Sequence, residues 1–553
     1  MKIIFNHEIK SGDDIDGNKL VDLILRARKV ENAAEFMNPP HPDGISLFHF
    51  DKSYEKKFEK VIKILRDIKK DNGMIVVYTD YDADGITGGA IMWETLNLLG
   101  FKVMPYVPDR KTEGYGFSIK GIDNVINLFN PSLIISVDHG ITKIREIEYA
   151  AKKNIKVIVT DHHLKGEDMP DKASAIFHVP SLSGSGVSYF FSRAVRDALI
   201  DQIGKNGELD YNFKYDYLAL AATGIIADLV PLVGPSRSVV KYGLAAYSKV
   251  KRHGITEIID QAGLKGKAIT PYEIGFVIAP RINAIGRLGH AIDALRLLCT
   301  RTREKAFELA RKVGSVNQER QALVEKSVTE AESMIPKNVK KIILLVSEHW
   351  NEGIIGLIAS KILEKYYRPV IVMTKNNGFY KGSARSIPSL NITSFLKSLR
   401  KYLVDVGGHA AAAGFTIDAK KTKQFVEAAE RKAERELSEN DLEKTVIADI
   451  KIPASRISLE VIKALERLEP FGVGNPRPVF LSEGQVTGAS IFGKTNSHLK
   501  VFLDGIEMIS FGKAQLFSEL ERGMRIRVAY IPEVDSWGGR QRLRAKLLSF
   551  IAD

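Results

Sequence analysis

Asp80-Tyr81-Asp82-Ala83-Asp84-Gly85 sets three carboxylates at alternate positions directly after an apolar, β-branched run, Val76-Val77-Tyr78-Thr79. Anions this close repel one another unless a cation lies among them, so a divalent-metal site is one reading. A solvated turn is the other, because Asp and Gly are ordinary turn residues, and the stretch alone favours neither. The design recurs. Leu133-Ile134-Ile135-Ser136-Val137 runs into Asp138-His139-Gly140, Val157-Ile158-Val159-Thr160 runs into Asp161-His162-His163, and the apolar stretch from Ala221 to Ala227 ends in Asp228. Singly, each has a dull explanation as a helix cap, a turn or a surface histidine. Together they are harder to dismiss, since parallel strands of one sheet point their carboxyl ends at the same crevice.

Several Asp with one or two His make an oxygen-rich site with imidazole. That suits Mn²⁺ or Mg²⁺ better than structural Zn²⁺, for which thiolates are lacking; Cys299 is the one cysteine in the chain. So many anionic ligands argue for two ions. Two divalent ions about 3.5–4 Å apart stabilise both the attacking and the leaving oxygen at phosphorus, which makes phosphoester hydrolysis the natural reaction class.

Such acids need a parallel sheet beneath them, and from Met74 the rhythm is strand, helix, strand, helix. Short β-branched runs at Met74–Tyr78, Lys102–Val107, Leu133–Val137, Val157–Thr160 and Ala173–Val179, with helical intervals, indicate an α/β domain whose sheet is covered on both faces. Residues 1 to about 70 read as mainly helical, broken by Pro39, Pro40 and Pro42. After Asp216 the chain turns helical to about Pro336, with Arg301–Ile335 as one or two long helices. A second α/β unit starts at Lys341-Ile342-Ile343-Leu344-Leu345-Val346 and closes near Arg435, before a linker at Ser438-Glu439-Asn440-Asp441. Beyond Thr445 come short alternating runs separated by Gly, Asn and Asp, the pattern of a small closed barrel of the oligonucleotide-binding type. The expected segments are therefore 1–70, 71–235, 236–336, 337–437 and 438–553.

The 553 residues are 44% hydrophobic and 27% charged, a globular composition that excludes disordered and fibrous classes. The formal charge of +13 points to a polyanionic partner, because clustered Lys and Arg gain affinity by releasing counterions from phosphates. Cys299 lies in an apolar helical run and reads as a structural thiol. Met1–Glu8 lacks the apolar core of a signal peptide, and no window has the apolar length of a membrane span. A reduced, cytoplasmic setting is expected.

Taken in order, these motifs resemble the DHH superfamily of phosphoesterases and, within it, the bacterial RecJ single-strand-specific DNA exonucleases. Asp80-Tyr81-Asp82-Ala83-Asp84-Gly85 is similar to the family's first motif, Val137-Asp138 to the second, Asp161-His162-His163 to the third and Ala227-Asp228-Leu229-Val230-Pro231-Leu232 to the fourth. The likeness continues through Arg281-Ile282-Asn283-Ala284-Ile285-Gly286-Arg287, Gly353-Ile354-Ile355-Gly356, Gly382-Ser383-Ala384-Arg385-Ser386, Gly407-Gly408-His409 and Leu468-Glu469-Pro470-Phe471-Gly472. It covers nearly the whole chain.

The resemblance implies a DHH domain, a DHH-associated (DHHA1) domain and a terminal OB-fold. It implies that Asp82 and Asp138 serve one Mn²⁺ (or Mg²⁺), with Asp80 in a slot that many relatives fill with His, and that Asp84, Asp138, His162 and Asp228 serve the other. His163 would face the scissile phosphate or position the attacking water, and Asp161 would orient an imidazole. Arg281, Arg287, Ser383, Arg385, Gly408 and His409 would grip the nucleotide backbone. The implied activity is processive 5′→3′ hydrolysis of single-stranded DNA to 5′-mononucleotides in recombination and repair. A monomer is expected, with a RecQ-type helicase and a single-strand-binding protein as candidate partners. Three positions depart from the family: His139 stands where Asn is common, Asn351 where His is common, and His178 replaces the Asn of an Asn-Pro. Two rivals are a DHH oligonucleotide or cyclic-dinucleotide phosphodiesterase, which would need no barrel, and a nuclease-inactive DNA-binding scaffold, which would have lost metal ligands.

Overall fold

A computed structural model describes residues 2–10, 16–110, 112–114, 116–202, 206–376, 378–535 and 541–552. The chain forms two compact units, one from residues 30–317 and 465–477, the other from residues 1–29, 318–464 and 478–553.

The first unit is built on five strands in the order Val103–Tyr106, Ile75–Thr79, Leu133–Val137, Lys156–Asp161 and Ala175–His178. All are parallel. Their alternation divides the apolar runs between two cores. Ile75, Val77, Leu133, Ile135, Val137 and Ile158 face one side with the helices Ala83–Leu98 and Gly184–Leu199, while Val76, Tyr78, Ile134, Val157 and Val159 face the other with Ile122, Val125 and Ile147. A strand buried on both faces must read as a continuous apolar run, which is what made these strands legible. In sequence the strand order is 2-1-3-4-5, so it reverses between Ile75–Thr79 and Leu133–Val137. That is the switch point where open α/β sheets bind ligands.

The second unit holds a five-stranded sheet in the order Leu403–Gly408, Ala412–Asp418, Phe379–Arg385, Val370–Asn376 and Ile343–Ser347. It is mixed: only Ile343–Ser347 and Val370–Asn376 pair in parallel. The unit also holds a barrel in which Phe480–Phe492, His498–Leu503, Ile506–Ser510, Arg542–Ala552 and Arg525–Asp535 follow in turn, and the last pairs back onto the first. One continuous helix, Arg303–Ser333, fills the stretch read as one or two.

The expectation of a mainly helical N-terminal segment is corrected at its start. Lys2–Glu8 is a strand pairing in parallel with Thr445–Lys451, and helices follow at Gly17–Ala27, Ala33–Met37 and Tyr54–Lys70. An edge strand next to a distant partner leaves no local periodicity to read. Among the described residues no helix is long and apolar enough to cross a membrane.

Candidate metal centre

The strand ends are tied down before they present their acids. Thr79 Oγ1 donates to Asp80 O at 2.8 Å, Ser136 Oγ to His139 O at 2.8 Å, and Thr160 Oγ1 to Ser136 O at 2.6 Å. These buried hydroxyls satisfy carbonyls where the sheet ladder stops. Beyond them Asp82 caps the Ala83–Leu98 helix, its Oδ1 accepting from the backbone N–H groups of Asp84 (3.0 Å) and Gly85 (3.1 Å). Asp138 leaves its strand in the left-handed region, at φ 69°, which Asp tolerates better than most residues. Asp228 arrives from outside the sheet, at the end of the Tyr217–Ala227 helix.

These residues meet. His162 Nε2 lies 3.1 Å from Asp138 Oδ1, 3.5 Å from Asp228 Oδ2 and 3.9 Å from Asp84 Oδ2. Ligand atoms of Asp84, His162 and Asp228 lie within 4.8 Å of one another, as do those of Asp80, Asp82 and Asp138, and those of Asp138, His162 and His163. Asp138 falls in the grouping with Asp80 and Asp82 and in that with His162 and His163, but not in the one formed by Asp84, His162 and Asp228. Asp161 stands apart: its carboxylate accepts from the backbone N–H groups of Ile141, His162 and His163 and holds His163 Nδ1 at 2.8 Å.

Electrostatics show what such a site needs. Burial first, then the charges of Asp84, Asp82, Asp228 and Asp80, hold the Asp138 carboxyl well above the usual carboxylate range. Burial and Asp82 raise Asp80, and burial and Asp84 raise Asp82. Burial, Asp84 and Asp82 push Asp228 up to about 8. The cluster thus has fewer positive than negative charges, and the buried Asp80 Oδ1 and His162 Nε2 have no hydrogen-bond partner among the described residues. Hard oxygen donors with one imidazole, short of cation, fit a pair of divalent ions.

This has a pH signature in metal-free protein. Because the Asp228 carboxyl is raised, the folded state keeps a proton that the unfolded state has released, and stability falls as pH rises toward 8. His163 acts with the same sign: burial opposes its charge, but the hydrogen bond and charge of Asp161, then Asp228 and Asp80, push it up to about 9 from 6.5. Its stabilising contribution is present below 6.5 and is lost as pH climbs through 9. His139 and His162 are lowered by burial and are largely neutral, folded or unfolded, above pH 6.5. In chelator, Tm is therefore expected to drop between about pH 6.5 and 8, and Mn²⁺ to remove the drop. A thermal scan in chelator that is flat or rising across that window contradicts the charge deficit.

Sequence reading missed the cradle of Asp84. The N-terminus of the Gly184–Leu199 helix closes on its carboxylate: Ser183 Oγ donates to Oδ1 at 2.7 Å, Ser185 N to Oδ1 at 3.0 Å and Gly184 N to Oδ2 at 2.6 Å. The positive end of the helix dipole complements the anion. Gly224 makes room, since a Cβ there would lie 2.0 Å from Ser185 Oγ and 2.2 Å from Asp84 Oδ1. Ser183-Gly184-Ser185-Gly186 before an apolar helix is a readable cap signature, but nothing local says which carboxylate it will meet. Ser183→Ala is expected to weaken Mn²⁺ binding roughly 10- to 100-fold, the usual cost of losing a residue that orients a ligand. Titration of Mn²⁺ by thermal shift checks it. Asn283 was also missed as a positioning group: its Oδ1 accepts from Ala83 N at 2.7 Å, between Asp82 and Asp84.

The three departures have structural places. His139 is buried edge-on to Tyr78 and Phe117, with Nε2 3.1 Å from Tyr78 O. His178 Nε2 lies 2.6 Å from His163 O, and Tyr54 OH bridges its backbone N–H and carbonyl. Asn351 Oδ1 accepts from Gly353 N at 2.8 Å in the turn before the Ile355–Tyr366 helix. None of them enters the ligand groupings.

The expected phosphate-gripping residues fall into two sets. Arg281 and Arg287 belong to the first unit, on the helix Ala279–Leu288, where Arg281 Nη1 donates to Val277 O at 2.8 Å. Ser383, Arg385, Gly408 and His409 belong to the second. There Arg385 Nη1 reaches Ser383 Oγ at 3.2 Å, and Gly356 leaves them space, a Cβ there lying 3.0 Å from both side chains. Ala412 pairs with Arg385 and its carbonyl accepts from His409 N at 2.8 Å, so the Gly408-His409 turn and the arginine share one end of the sheet. Half-buried Cys299 ends the helix Ile292–Cys299, and burial pushes its thiol up to about 12.

A parallel sheet with carboxylates and imidazoles at its switch point, joined to a mixed-sheet domain and a closed barrel, defines a metal-dependent phosphoesterase of the DHH class. Residues 74–225 match the DHH family, N-terminal domain, residues 338–435 the DHHA1 domain and residues 448–548 the RecJ OB domain. The chain is 33% identical to the single-stranded-DNA-specific exonuclease RecJ of Thermus thermophilus over 88% of its own length and 69% of the relative's. It is 33% identical to the RecJ of Bacillus subtilis over 93% of its own length, and spans 65% of that relative. The crystal structure of RecJ in complex with Mn²⁺ from Thermus thermophilus superposes with a TM-score of 0.83 at 28% identity, covering 100% of this chain and 80% of that one. The chain belongs to the RecJ family.

Proposed function

We propose that the chain hydrolyses single-stranded DNA from the 5′ end to 5′-mononucleotides. The convergence of Asp80, Asp82, Asp84, Asp138, His162 and Asp228 on one crevice carries the reading, and the family's named activity supports the substrate. Asp80, Asp82 and Asp138 would hold one divalent ion, and Asp84, Asp138, His162 and Asp228 the other. Bound there, Mn²⁺ or Mg²⁺ supplies Lewis acidity and charge neutralisation at a phosphodiester.

The remaining steps belong to the side chains. Asp161 holds His163 at Nδ1, and the ring so oriented would bond a non-bridging oxygen of the phosphate. Asn283 and the Ser183–Ser185 turn hold the backbone and the carboxylate of the first motif in register. Arg281, Arg287, Ser383, Arg385, Gly408 and His409 would orient the phosphate chain, with the barrel retaining the single strand. A RecQ-type helicase and a single-strand-binding protein would supply and release that strand to a monomer in the cytoplasm; the basic balance and the lone thiol suit this setting.

The test is incubation with Mn²⁺ and end-labelled single-stranded, duplex and dinucleotide substrates beside Asp82→Ala. Mononucleotides released from the 5′ end of single strands, and lost in the variant or in chelator, are expected. Release from dinucleotides alone would overturn the substrate, and full activity in the variant would overturn the metal assignment.

A further inference from the structure

Two aromatic side chains lie bare on the stretch that leads to Asn283. Tyr272 and Phe276 are 62% and 70% exposed, and their rings stack on each other with centroids 4.8 Å apart and planes 27° from parallel. Large apolar groups this exposed, side by side, mark a binding surface more often than a neutral one. The backbone is arranged to present them. Thr270 and Glu273 form a capping box that starts the helical stretch, and residues 274–278 then make a π turn before the helix Ala279–Leu288 continues. Such turns recur at functional sites.

The stretch is fastened to the metal centre at three points. Asn283 caps Ala83 N at 2.7 Å. Gly286 packs so closely on the first motif that a Cβ would lie 2.7 Å from Tyr81 O, and a Cβ on Gly275 would lie 3.8 Å from Ile226 Cγ2, in the last turn of the helix before the turn that carries Asp228. In that turn Leu229, the residue after Asp228, is 68% exposed and sits at φ 59°. The left-handed region is unfavourable for leucine, so an exposed apolar side chain is kept at this place against backbone preference. From Asn283 back to Phe276 is about 10 Å along the helix axis, at 1.5 Å per residue. That length is within reach of about two to three nucleotides of a strand fixed by a phosphate at the metal centre, and a chain of charge +13 favours such a polyanion.

We infer that Tyr272 and Phe276 form a stacking platform for nucleobases of the DNA strand held at the metal centre. The inference rests on the nuclease reading above and adds to it a subsite that holds bases rather than phosphates. The exposure of both side chains leaves ring surface for a base to contact, and stacking is tolerant of sequence because every base has a π-face.

The test couples the rings to a base. Oligonucleotides with a single abasic residue stepped through the first six positions from the 5′ end are given to the wild-type chain, to Tyr272→Ala/Phe276→Ala and to Phe276→Trp. In the wild type, abasic residues at one or two positions near the third should lower kcat/KM about 5- to 150-fold, the range for stacking one base. The double variant should lose a similar factor on the unmodified strand and show no further abasic penalty, while Phe276→Trp should keep it. The Mn²⁺-induced rise in Tm should persist in both, showing an intact metal centre. An abasic penalty unchanged in the double variant would overturn the platform, as would a lost Mn²⁺ response, which would assign the pair to shaping the metal centre. Altered sedimentation of the DNA-free chain with unaltered cleavage would also overturn it, in favour of a contact between copies. A wild-type chain that cleaves no single strand overturns the nuclease reading instead.

Discussion

Replacing Asp138 with asparagine is expected to abolish hydrolysis while making the metal-free protein more stable. Asp138 contributes a ligand atom to two of the three groupings, and its Oδ1 lies 3.1 Å from His162 Nε2, which belongs to the third. Its carboxyl is raised well above the usual range by burial and by Asp84, Asp82, Asp228 and Asp80. In the metal-free protein its negative charge is a liability, and a neutral side chain of the same shape removes one member of a repelling set. The gain should be about 1 kcal/mol, seen as a higher Tm in chelator. With Mn²⁺ the order reverses: the wild type gains stability on binding and the variant does not. Turnover should fall at least about a thousandfold, because both ions lose a ligand and one oxyanion-stabilising group alone is commonly worth 10²–10³. Equal Mn²⁺ responses in the two proteins would remove Asp138 from the shared position.

That opposition between stability and function explains what the sequence could and could not tell. Runs such as Val76-Val77-Tyr78-Thr79 and Leu133-Ile134-Ile135-Ser136-Val137 announce doubly covered strands whose carboxyl ends face one crevice, so the clustering of their acids was readable before its geometry, while the division of ligands between two ions came only from the family resemblance. Lys2–Glu8 was not readable, because its pairing with Thr445–Lys451 is decided by a partner at the far end of the chain. The Ser183–Ser185 cradle shows a helix start but not the carboxylate it receives. His139 illustrates the reverse hazard. It stands beside Asp138 in sequence, yet its ring turns into the aromatic core of Tyr78 and Phe117 rather than into the ligand groupings. Adjacency in the chain does not set the direction of a side chain. Tyr272 and Phe276 were hidden for another reason, since two aromatics four apart on a helix ordinarily predict core, and exposure is visible only in the fold.

Gly184→Ala should be nearly as damaging as loss of a ligand, although residue 184 offers no side chain at all. A Cβ at this position would lie 2.4 Å from Asp138 Cβ, 2.5 Å from its Cγ and 2.5 Å from its Oδ1. Asp138 cannot retreat, because it is held in the left-handed region at φ 69° and its N–H is bonded to Thr160 O at 3.0 Å. The helix start must therefore move instead, and with it Gly184 N, which donates to Asp84 Oδ2 at 2.6 Å. One methyl group thus disturbs a carboxylate assigned to both ions and another assigned to one. Overpacking of this kind costs about 1–3 kcal/mol, and the accompanying misplacement of two ligands should cut Mn²⁺ affinity and turnover about 10²- to 10³-fold. Thermal unfolding in chelator reads the first effect and Mn²⁺ titration the second. Asp138→Asn and Gly184→Ala then separate cleanly: the first should raise metal-free Tm and the second lower it, with both losing the metal. A Gly184→Ala chain that binds Mn²⁺ as the wild type does would show that the helix start and the metal centre are not mechanically joined.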